Sequence, residues 1–446
     1  MKPKLRKGIN LLFGLLMLGG FILLGYYIPR EEFNKLILLF IVQFGLMVGY
    51  FFLNKSKQSW VEIFVFGLLC RLILSVSIPL WSDDYARFLW DGELVQMGLN
   101  PFQETPAEWL IANKDVLEIS YMKSLIGAMN SPSYYSVYPP LDQLVFAAAA
   151  SVTNGSVFRG VVMLRGILLM GEILVFFLLF RLFKRLQIPF GRLCFYWLNP
   201  LIIMEVTGNL HFEGLVLLFL LASLLAIEKN KSAVAGSTWG MAIGLKLLPL
   251  ILFPSIVLFK KTRISMLFWA GTVSVLLLSF AWLIVDDSWI NFLRSLRLYQ
   301  GKFEFNASIY YLLREVGFWI KGYNTIATLT PLLSAATLIG ICYASWKLKP
   351  KDLPELADLW VLVYLIYLIL QPVVHPWYII PGIGLSLLTK RKTFLVWTFS
   401  ILFSYEAYSR TDYEENLLLL SLEYLLVFAA ILWDYFPRRR TNNSIT

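Results

Sequence analysis

Eleven stretches of this chain are apolar over lengths close to a bilayer crossing: 9–27, 36–53, 60–80, 158–182, 190–207, 213–228, 264–285, 324–346, 356–374, 393–409 and 416–434. A spanning helix needs roughly 20 such residues, because nothing in hydrocarbon can satisfy the backbone except the helix itself. Two further apolar stretches are interrupted. Residues 233–258 contain Gly244, Pro249 and Pro254 and are expected to form a hairpin of two short helices; 377–389 is simply short. The run opened by Tyr138-Pro139-Pro140-Leu141 is too short to cross, so 139–153 is expected to be a re-entrant or interfacial helix, with proline tolerated in its first turn. The fold class that follows is an all-α polytopic membrane protein of about 14 membrane segments. Composition agrees: 58% of residues are hydrophobic and 15% charged, against about a quarter charged in soluble domains.

The charges orient this layout. With the N-terminus inside, Lys2–Lys7, Lys55/Lys57, Arg181/Lys184/Arg185/Arg192, Lys229/Lys231, Lys260/Lys261/Arg263, Lys347/Lys349/Lys351, Lys390/Arg391/Lys392 and Arg438–Arg440 all fall on one side. They hold 24 of the 39 Lys and Arg, while Asp83, Asp84, Asp91, Glu93, Glu104, Glu108, Asp286, Asp287, Glu304, Asp412, Glu414 and Glu415 fall on the other. This is the positive-inside pattern. It explains the net charge of +10 without a nucleic-acid partner. Both termini are expected in the cytoplasm, and the first apolar run is expected to be a retained helix, since no small-residue cleavage site precedes Ile28-Pro29-Arg30. The expected organisation is an N-terminal transmembrane hairpin over 1–55, a central module over 56–390 with a large outer loop over 82–140, and a C-terminal transmembrane hairpin with a basic tail over 391–446. Cys70, Cys194 and Cys342 sit in apolar runs without partners at disulfide or metal spacing, so packing is expected of them.

Chemistry concentrates in the outer loop, which begins Trp81-Ser82-Asp83-Asp84-Tyr85-Ala86-Arg87-Phe88-Leu89-Trp90-Asp91-Gly92. On a helix Asp84, Arg87 and Asp91 share a face. A carboxylate at the membrane surface can serve as a general base on a hydroxyl; the plainer reading is an interfacial helix with a solvated acidic face. Ionisable groups inside spans are costly and usually line a pathway or a site. Glu172 follows Arg165 by seven residues and is expected to pair with it, whereas Arg71 has no evident partner. Glu205, Asn209-Leu210-His211-Phe212-Glu213, Lys246 in the broken hairpin and His375-Pro376-Trp377-Tyr378 are candidates to line one cavity open to the outer leaflet. Lys246 and His375 can hold a phosphate, as can Arg294, Arg297 and Lys302 on a later outer loop. Asn154-Gly155-Ser156, Asn306-Ala307-Ser308 and Asn442-Asn443-Ser444 match the glycosylation pattern at a frequency chance explains. There is no Walker loop, dinucleotide fingerprint, His-Glu-x-x-His or Cys-x-x-Cys. Asp83-Asp84 alone makes an incomplete divalent-cation site, so neither metal nor cofactor is expected.

The run Asp83–Gly92, then Gly98-Leu99-Asn100-Pro101-Phe102, then Tyr138-Pro139-Pro140-Leu141, resembles the first outer loop of the GT-C superfamily. The likeness is to bacterial polytopic mannosyltransferase-like proteins, relatives of the polyprenyl-phosphate-mannose enzymes. Asn199-Pro200, Glu205, Gly208-Asn209-Leu210-His211-Phe212-Glu213, Gly244-Leu245-Lys246-Leu247-Leu248-Pro249 and His375-Pro376-Trp377-Tyr378 continue the match in order, so that it covers roughly 60–390. The resemblance implies inverting transfer of a hexose, mannose by preference, from a polyprenyl-phosphate sugar to a lipid, glycan or protein hydroxyl on the periplasmic face of a bacterial inner membrane. It implies Asp84 as the general base, with Asp83 second. Arg87, Asp91, Tyr138, His211, Glu213, Lys246, Arg297, Lys302, His375 and Tyr378 are then the expected donor-phosphate or substrate contacts. This chain departs from its relatives in His211-Phe212-Glu213, where they often carry His-Phe-Asp, and in placing the reactive loop after the third rather than the first membrane helix. A membrane transporter or lipid-linked-glycan flippase is the competing reading, but it predicts repeated halves and none are found; a polysaccharide polymerase or ligase would not use these motifs.

Overall fold

The computed structural model describes residues 3–54, 59–113, 119–259 and 265–436. The basic groups at Lys2, Lys55/Lys57, Lys260/Lys261/Arg263 and Arg438–Arg440 and the sequence Asn442-Asn443-Ser444 lie outside the described residues. Within them the chain is helical throughout, and its one β-like feature is an isolated bridge between Phe305 and Val373.

The first half begins with an antiparallel hairpin, α1 (Pro3–Tyr26) and α2 (Phe33–Leu53). A shorter α3 (Trp60–Ile73) follows. The outer loop carries four helices: α4 (Asp84–Gln96), α5 (Pro106–Ala112), α6 (Ile119–Ala128) and α7 (Pro140–Ala150). The thirty-residue α8 (Val157–Leu186) then crosses the molecule and ends on Lys184, Arg185 and a left-handed Gln187. Proline at the first turn of α5 and α7 starts those helices where no intrahelical donor is needed; Thr105 and Glu108 complete a capping box on α5. The short α7 agrees with the expected non-spanning helix at 139–153.

Among the described residues, seven helices are long and apolar enough to cross a membrane, or eight if one bent pair counts as a span. They are α1, α2, α8, Met266–Val285, Ile326–Leu348, Leu353–Leu370 and Leu417–Tyr435. The other half of the roughly 14 expected segments are shorter or broken. The stretch 60–80 is helical only to Ile73, and 190–207 divides into Phe190–Leu193, Cys194–Trp197, Pro200–Ile202 and the π-turn Ile203–Gly208. Residues 233–258 fold as expected into two pieces, Ser232–Leu245 and the Leu248–Val257 stretch that Pro249 and Pro254 open. Gly236 lets Ser232–Leu245 press against Met266–Val285, because a Cβ there would collide with the Phe268 carbonyl.

Buried charge is resolved differently from expectation. Glu172 does not pair with Arg165. It accepts from Arg71 at 2.9 Å, both side chains being wholly buried, and from the Tyr196 hydroxyl at 2.7 Å. Arg71 also donates to the Trp197 carbonyl at 2.7 Å and lies over that indole. Arg165 instead donates to four carbonyls: Ser75 and Ser77 beyond the end of α3, and Thr207 and Gly208 at the end of the π-turn. The seven-residue spacing puts Arg165 and Glu172 on one face of α8, but separate neighbours along that face claim each of them. Of the cysteines, Cys70 and Cys194 are buried, and Cys342 is exposed on Ile326–Leu348.

Candidate active site

Chain breaks bring the polar candidates together. At the end of the π-turn the backbone leaves helical geometry, Leu210 takes φ +68°, and the next helix, Glu213–Glu228, departs at 109°. A left-handed leucine is an uncommon, strained conformation of the kind that gathers at functional sites, and π-turns gather there too. The break frees His211 to turn inward with 3% of its side chain exposed. Its Nδ1 lies 2.9 Å from Glu205 Oε2. Glu205 is fixed by donation from Tyr405 at 2.6 Å and from Asn209 at 3.1 Å. The other imidazole nitrogen, Nε2, lies 3.7 Å from Asp84 Oδ2 and has no hydrogen-bond partner.

Asp84 is the first residue of α4, and a carboxylate there is favoured by the unsatisfied N–H groups of the first turn. Its side chain is 24% exposed, open to a cleft of about 80 Å³ lined by Arg87, Tyr134, Tyr135, Tyr138 and Tyr299. Burial alone would raise this carboxyl, but His211 first, then His375 and Arg30, outweigh it and hold it below its usual value. Burial, followed by the Asp84 charge, raises the Tyr138 phenol, and the same two causes raise that of Tyr299. Both therefore stay as hydroxyl donors. Larger cavities, about 610 and 780 Å³, lie elsewhere, one beside Glu31–Lys35 and Asn416 and one among Arg192, Lys351, Lys390 and Arg391. The small cleft is the chemical candidate because it holds an ionised carboxylate with unpaired polar atoms beside it.

On the far side of His211 four rings stack in series. His211 lies on Trp377 at 3.7 Å between centroids, Trp377 on His375 at 4.5 Å, and His375 on Phe305 at 5.0 Å. Pro376 ends the extended segment at His375 and starts a single tight turn, which presents Trp377 and Tyr378. His375 Nδ1 is buried without a partner. Lys246 caps the end of Ser232–Leu245, pairs with Glu213 and stands 4.0 Å over the Tyr378 ring.

Asp84, Tyr138, His211, Glu213, Lys246, His375 and Tyr378 thus form one connected neighbourhood. The remaining expected residues have other surroundings. Asp91 is fully buried; it holds Arg87 at 2.7 Å and accepts from Ser136 at 2.5 Å and Gln143 at 3.2 Å. Arg87 lines the cleft but spends most of its donors on Asp91 and on the Ser131 and Tyr134 carbonyls. This pair pins the outer loop to α4. Asp83 turns away from the cleft to Arg30. Arg297 and Lys302 are exposed on the outer helix Trp289–Lys302, and neither has an ion-pair partner among the described residues. The Gly98–Phe102 motif docks that helix: Asn100 donates to Asp286 and Ser288 at 3.0 and 3.1 Å. Asn306 of the second glycosylation pattern is buried and donates to Glu423 at 3.0 Å.

Sequence reasoning missed Tyr405, Tyr299 and Arg30. Tyr405 had a visible signal, since Ser404-Tyr405-Glu406 is too polar for the end of a simple span. Among the described residues no three His, Cys, Asp or Glu side chains converge as a metal cage.

Comparison with known proteins places the chain in a family. Residues 37–263 match the family model described as alpha-(1->6)-mannopyranosyltransferase, N-terminal domain. Alpha-(1->6)-mannopyranosyltransferase B of Corynebacterium glutamicum is 26% identical over 171 residues, 38% of this chain and 27% of that protein. An alpha-(1->6)-mannopyranosyltransferase of Mycobacterium tuberculosis is 28% identical over 175 residues, 39% of this chain and 28% of that protein. A probable alpha-(1->6)-mannopyranosyltransferase of Mycolicibacterium smegmatis is 26% identical over 180 residues, 40% and 31% of the two chains. These alignments span under a third of each relative's length. The family match covers half of the chain and holds α4, α7, α8, the π-turn, His211 and Lys246, so this chain belongs to the alpha-(1->6)-mannopyranosyltransferase N-terminal domain family.

Proposed function

We propose that the chain is an inverting glycosyltransferase that moves mannose from a polyprenyl-phosphate sugar to an acceptor hydroxyl on the non-cytoplasmic side of the membrane, with Asp84 as general base. One observation carries the reading: a partly open Asp84, held ionised, abuts the buried His211–Glu205 pair within an aromatic cleft. As the acceptor oxygen attacks the anomeric carbon, Asp84 takes its proton. The bond between that carbon and the phosphate oxygen breaks, and its electron pair leaves with the lipid phosphate. That leaving group is already an anion, so it needs donors and cations rather than a strong acid. Lys246 and the unpaired His375 Nδ1 are suited to that role, and the phenols of Tyr138 and Tyr299 to holding sugar hydroxyls. The relatives' names extend the reading to a 6-hydroxyl acceptor. No metal step is needed, because Asp83, the neighbouring carboxylate, is committed to Arg30. The transporter reading is the weaker one: Arg71, Glu172 and Arg165, charges buried deep in the helices, are each engaged by protein partners.

The test is transfer of radiolabelled mannose from polyprenyl-phosphate mannose in membranes containing the wild type or Asp84→Asn at equal protein level. Loss of about 10²–10⁴-fold is expected. Transfer that survives in the variant would reject Asp84 as the base.

A further inference from the structure

The turn between α1 and α2 lies before the family match, which starts at residue 37, and outside the catalytic module expected from sequence. Yet it reaches the reacting carboxylates. Arg30, 14% exposed, is 2.7 Å from Asp83 Oδ2, donates to the Trp81 carbonyl at 3.1 Å and lies 4.6 Å over the Tyr408 ring. Two more bonds fix this turn to the segment entering α4. The Trp81 indole donates to the Ile28 carbonyl at 2.8 Å, and the Tyr26 hydroxyl to Ile73 at 2.7 Å. Trp81 also packs edge-on against Tyr405, the phenol that holds Glu205.

Two adjacent aspartates at one helix start are chemically alike in sequence. In the fold they are not. Asp83 makes no capping bond with its own helix and is drawn aside by the guanidinium; Asp84 is left facing His211. A bare carboxylate next door would disfavour ionisation of Asp84, and a paired one does not. We propose that Arg30 is a positioning residue for the reaction: it clamps Asp83, cancels that charge beside Asp84, and so selects Asp84 as the base. The hairpin 1–55 is then part of the active site rather than an appendage. This rests on the reading of Asp84 as base.

Other groups face Asp84 too, and the test must separate Arg30 from them. They are His211 and His375, which favour its ionised form, and the phenols of Tyr138, Tyr299, Tyr378 and Tyr408. Asp83 stands beside it and Arg87 lines the same cleft, while Glu205 pairs with His211 on the other ring nitrogen. Substituting Arg30 alters two of them: Asp83, whose charge is left unpaired, and Tyr408, which loses the guanidinium over its ring; the Asp83→Asn arms separate the first from the second.

The experiment measures mannose transfer from polyprenyl-phosphate mannose against pH, with the full chain in membranes. It compares Arg30→Gln, Arg30→Lys, Asp83→Asn and the double variant Arg30→Gln/Asp83→Asn, with Asp84→Asn as reference. Protein level and melting temperature in detergent are followed in parallel. Arg30→Gln should lower kcat about tenfold or more, keep the donor KM within about twofold, and move the acid limb of the pH profile upward. Adding Asp83→Asn should bring the limb back, because the unpaired charge has gone, and Arg30→Lys should retain most activity. Asp83→Asn alone should move the limb down, and this arm decides the matter if Arg30→Gln does not accumulate. Wild-type kcat and limb in Arg30→Gln, with Asp84→Asn inactive, would overturn the proposal and leave the base reading standing. An activity loss that Asp83→Asn does not relieve, with the limb unmoved, would also overturn it. Transfer that persists in Asp84→Asn removes the base reading and the proposal together.

Discussion

Asp84 is governed by two opposed effects, burial favouring the neutral acid and nearby positive groups favouring the carboxylate, and the second wins. The sign of its pH dependence follows. A carboxyl held below its ordinary value of about 4 is ionised throughout the neutral range. Its contribution as a base, and to stability, is complete above that ordinary value and is lost as pH falls through the lowered one. Replacing His211 by Asn removes the largest offset to burial, so the acid limb of transfer should rise; a limb that stays in place would show that His211 does not act on Asp84. Tyr405→Phe leaves Glu205 short of a buried donor, and kcat should fall several-fold, roughly what 1–2 kcal/mol of lost support gives. Asp84, Lys246 and His375 were legible as candidates because charged or imidazole groups bordering apolar runs are costly and need a reason. Arg30 was not, because its partner lies 53 positions away and no local pattern announces it; Tyr405 showed only as a polar break in an apolar run, with its partner 200 positions away.

Between elements, close approach is bought by small side chains and held by buried charge. Gly92 lets α4 lie on α7, since a Cβ there would run into the Phe146 carbonyl. Gly92→Val should cost about 1–3 kcal/mol by overpacking, read as a lower melting temperature in detergent, and should reduce transfer by tilting the helix that starts at Asp84. Arg71 and Glu172 join α3 to α8 without exposure to solvent. Arg71→Met alone should destabilise by about 3–5 kcal/mol, whereas Arg71→Met/Glu172→Leu should recover much of that; equal melting temperatures for the two variants would contradict it. Sequence reading found the long helices because apolar length is a local property. It treated 190–207 as one span although that stretch fractures at Pro200, because a proline-started turn inside a protein core has the same composition as a straight helix; the breaks at Pro249 and Pro376 it did expect. It also assigned Glu172 to Arg165, since periodicity reports which residues share a face and not what lies opposite.

Across the whole molecule, Leu353–Leu370 sets the distance between two faces. Its eighteen residues reach about 27 Å at 1.5 Å per residue, close to the roughly 30 Å of a hydrocarbon core. His375 follows one end, and the basic cavity around Arg192, Lys351 and Lys390 surrounds the other. Single cysteines introduced at Lys302 and Lys347 in a chain lacking Cys70, Cys194 and Cys342 should therefore label differently in intact cells. A membrane-impermeant maleimide should reach position 302 directly and position 347 only after permeabilisation; equal labelling would reject the proposed sidedness. The pairing of Tyr405 with Glu205 across 200 positions also bears on when the protein becomes competent. At a synthesis rate of about 5–20 residues per second, the ribosome needs roughly 10–40 s to travel from His211 to Tyr405. During that interval Asp84 and His211 are already synthesised while the phenol that braces Glu205 is still unmade. The brace on Glu205 is therefore among the last contacts of this neighbourhood to form, and its final geometry waits for the C-terminal helices.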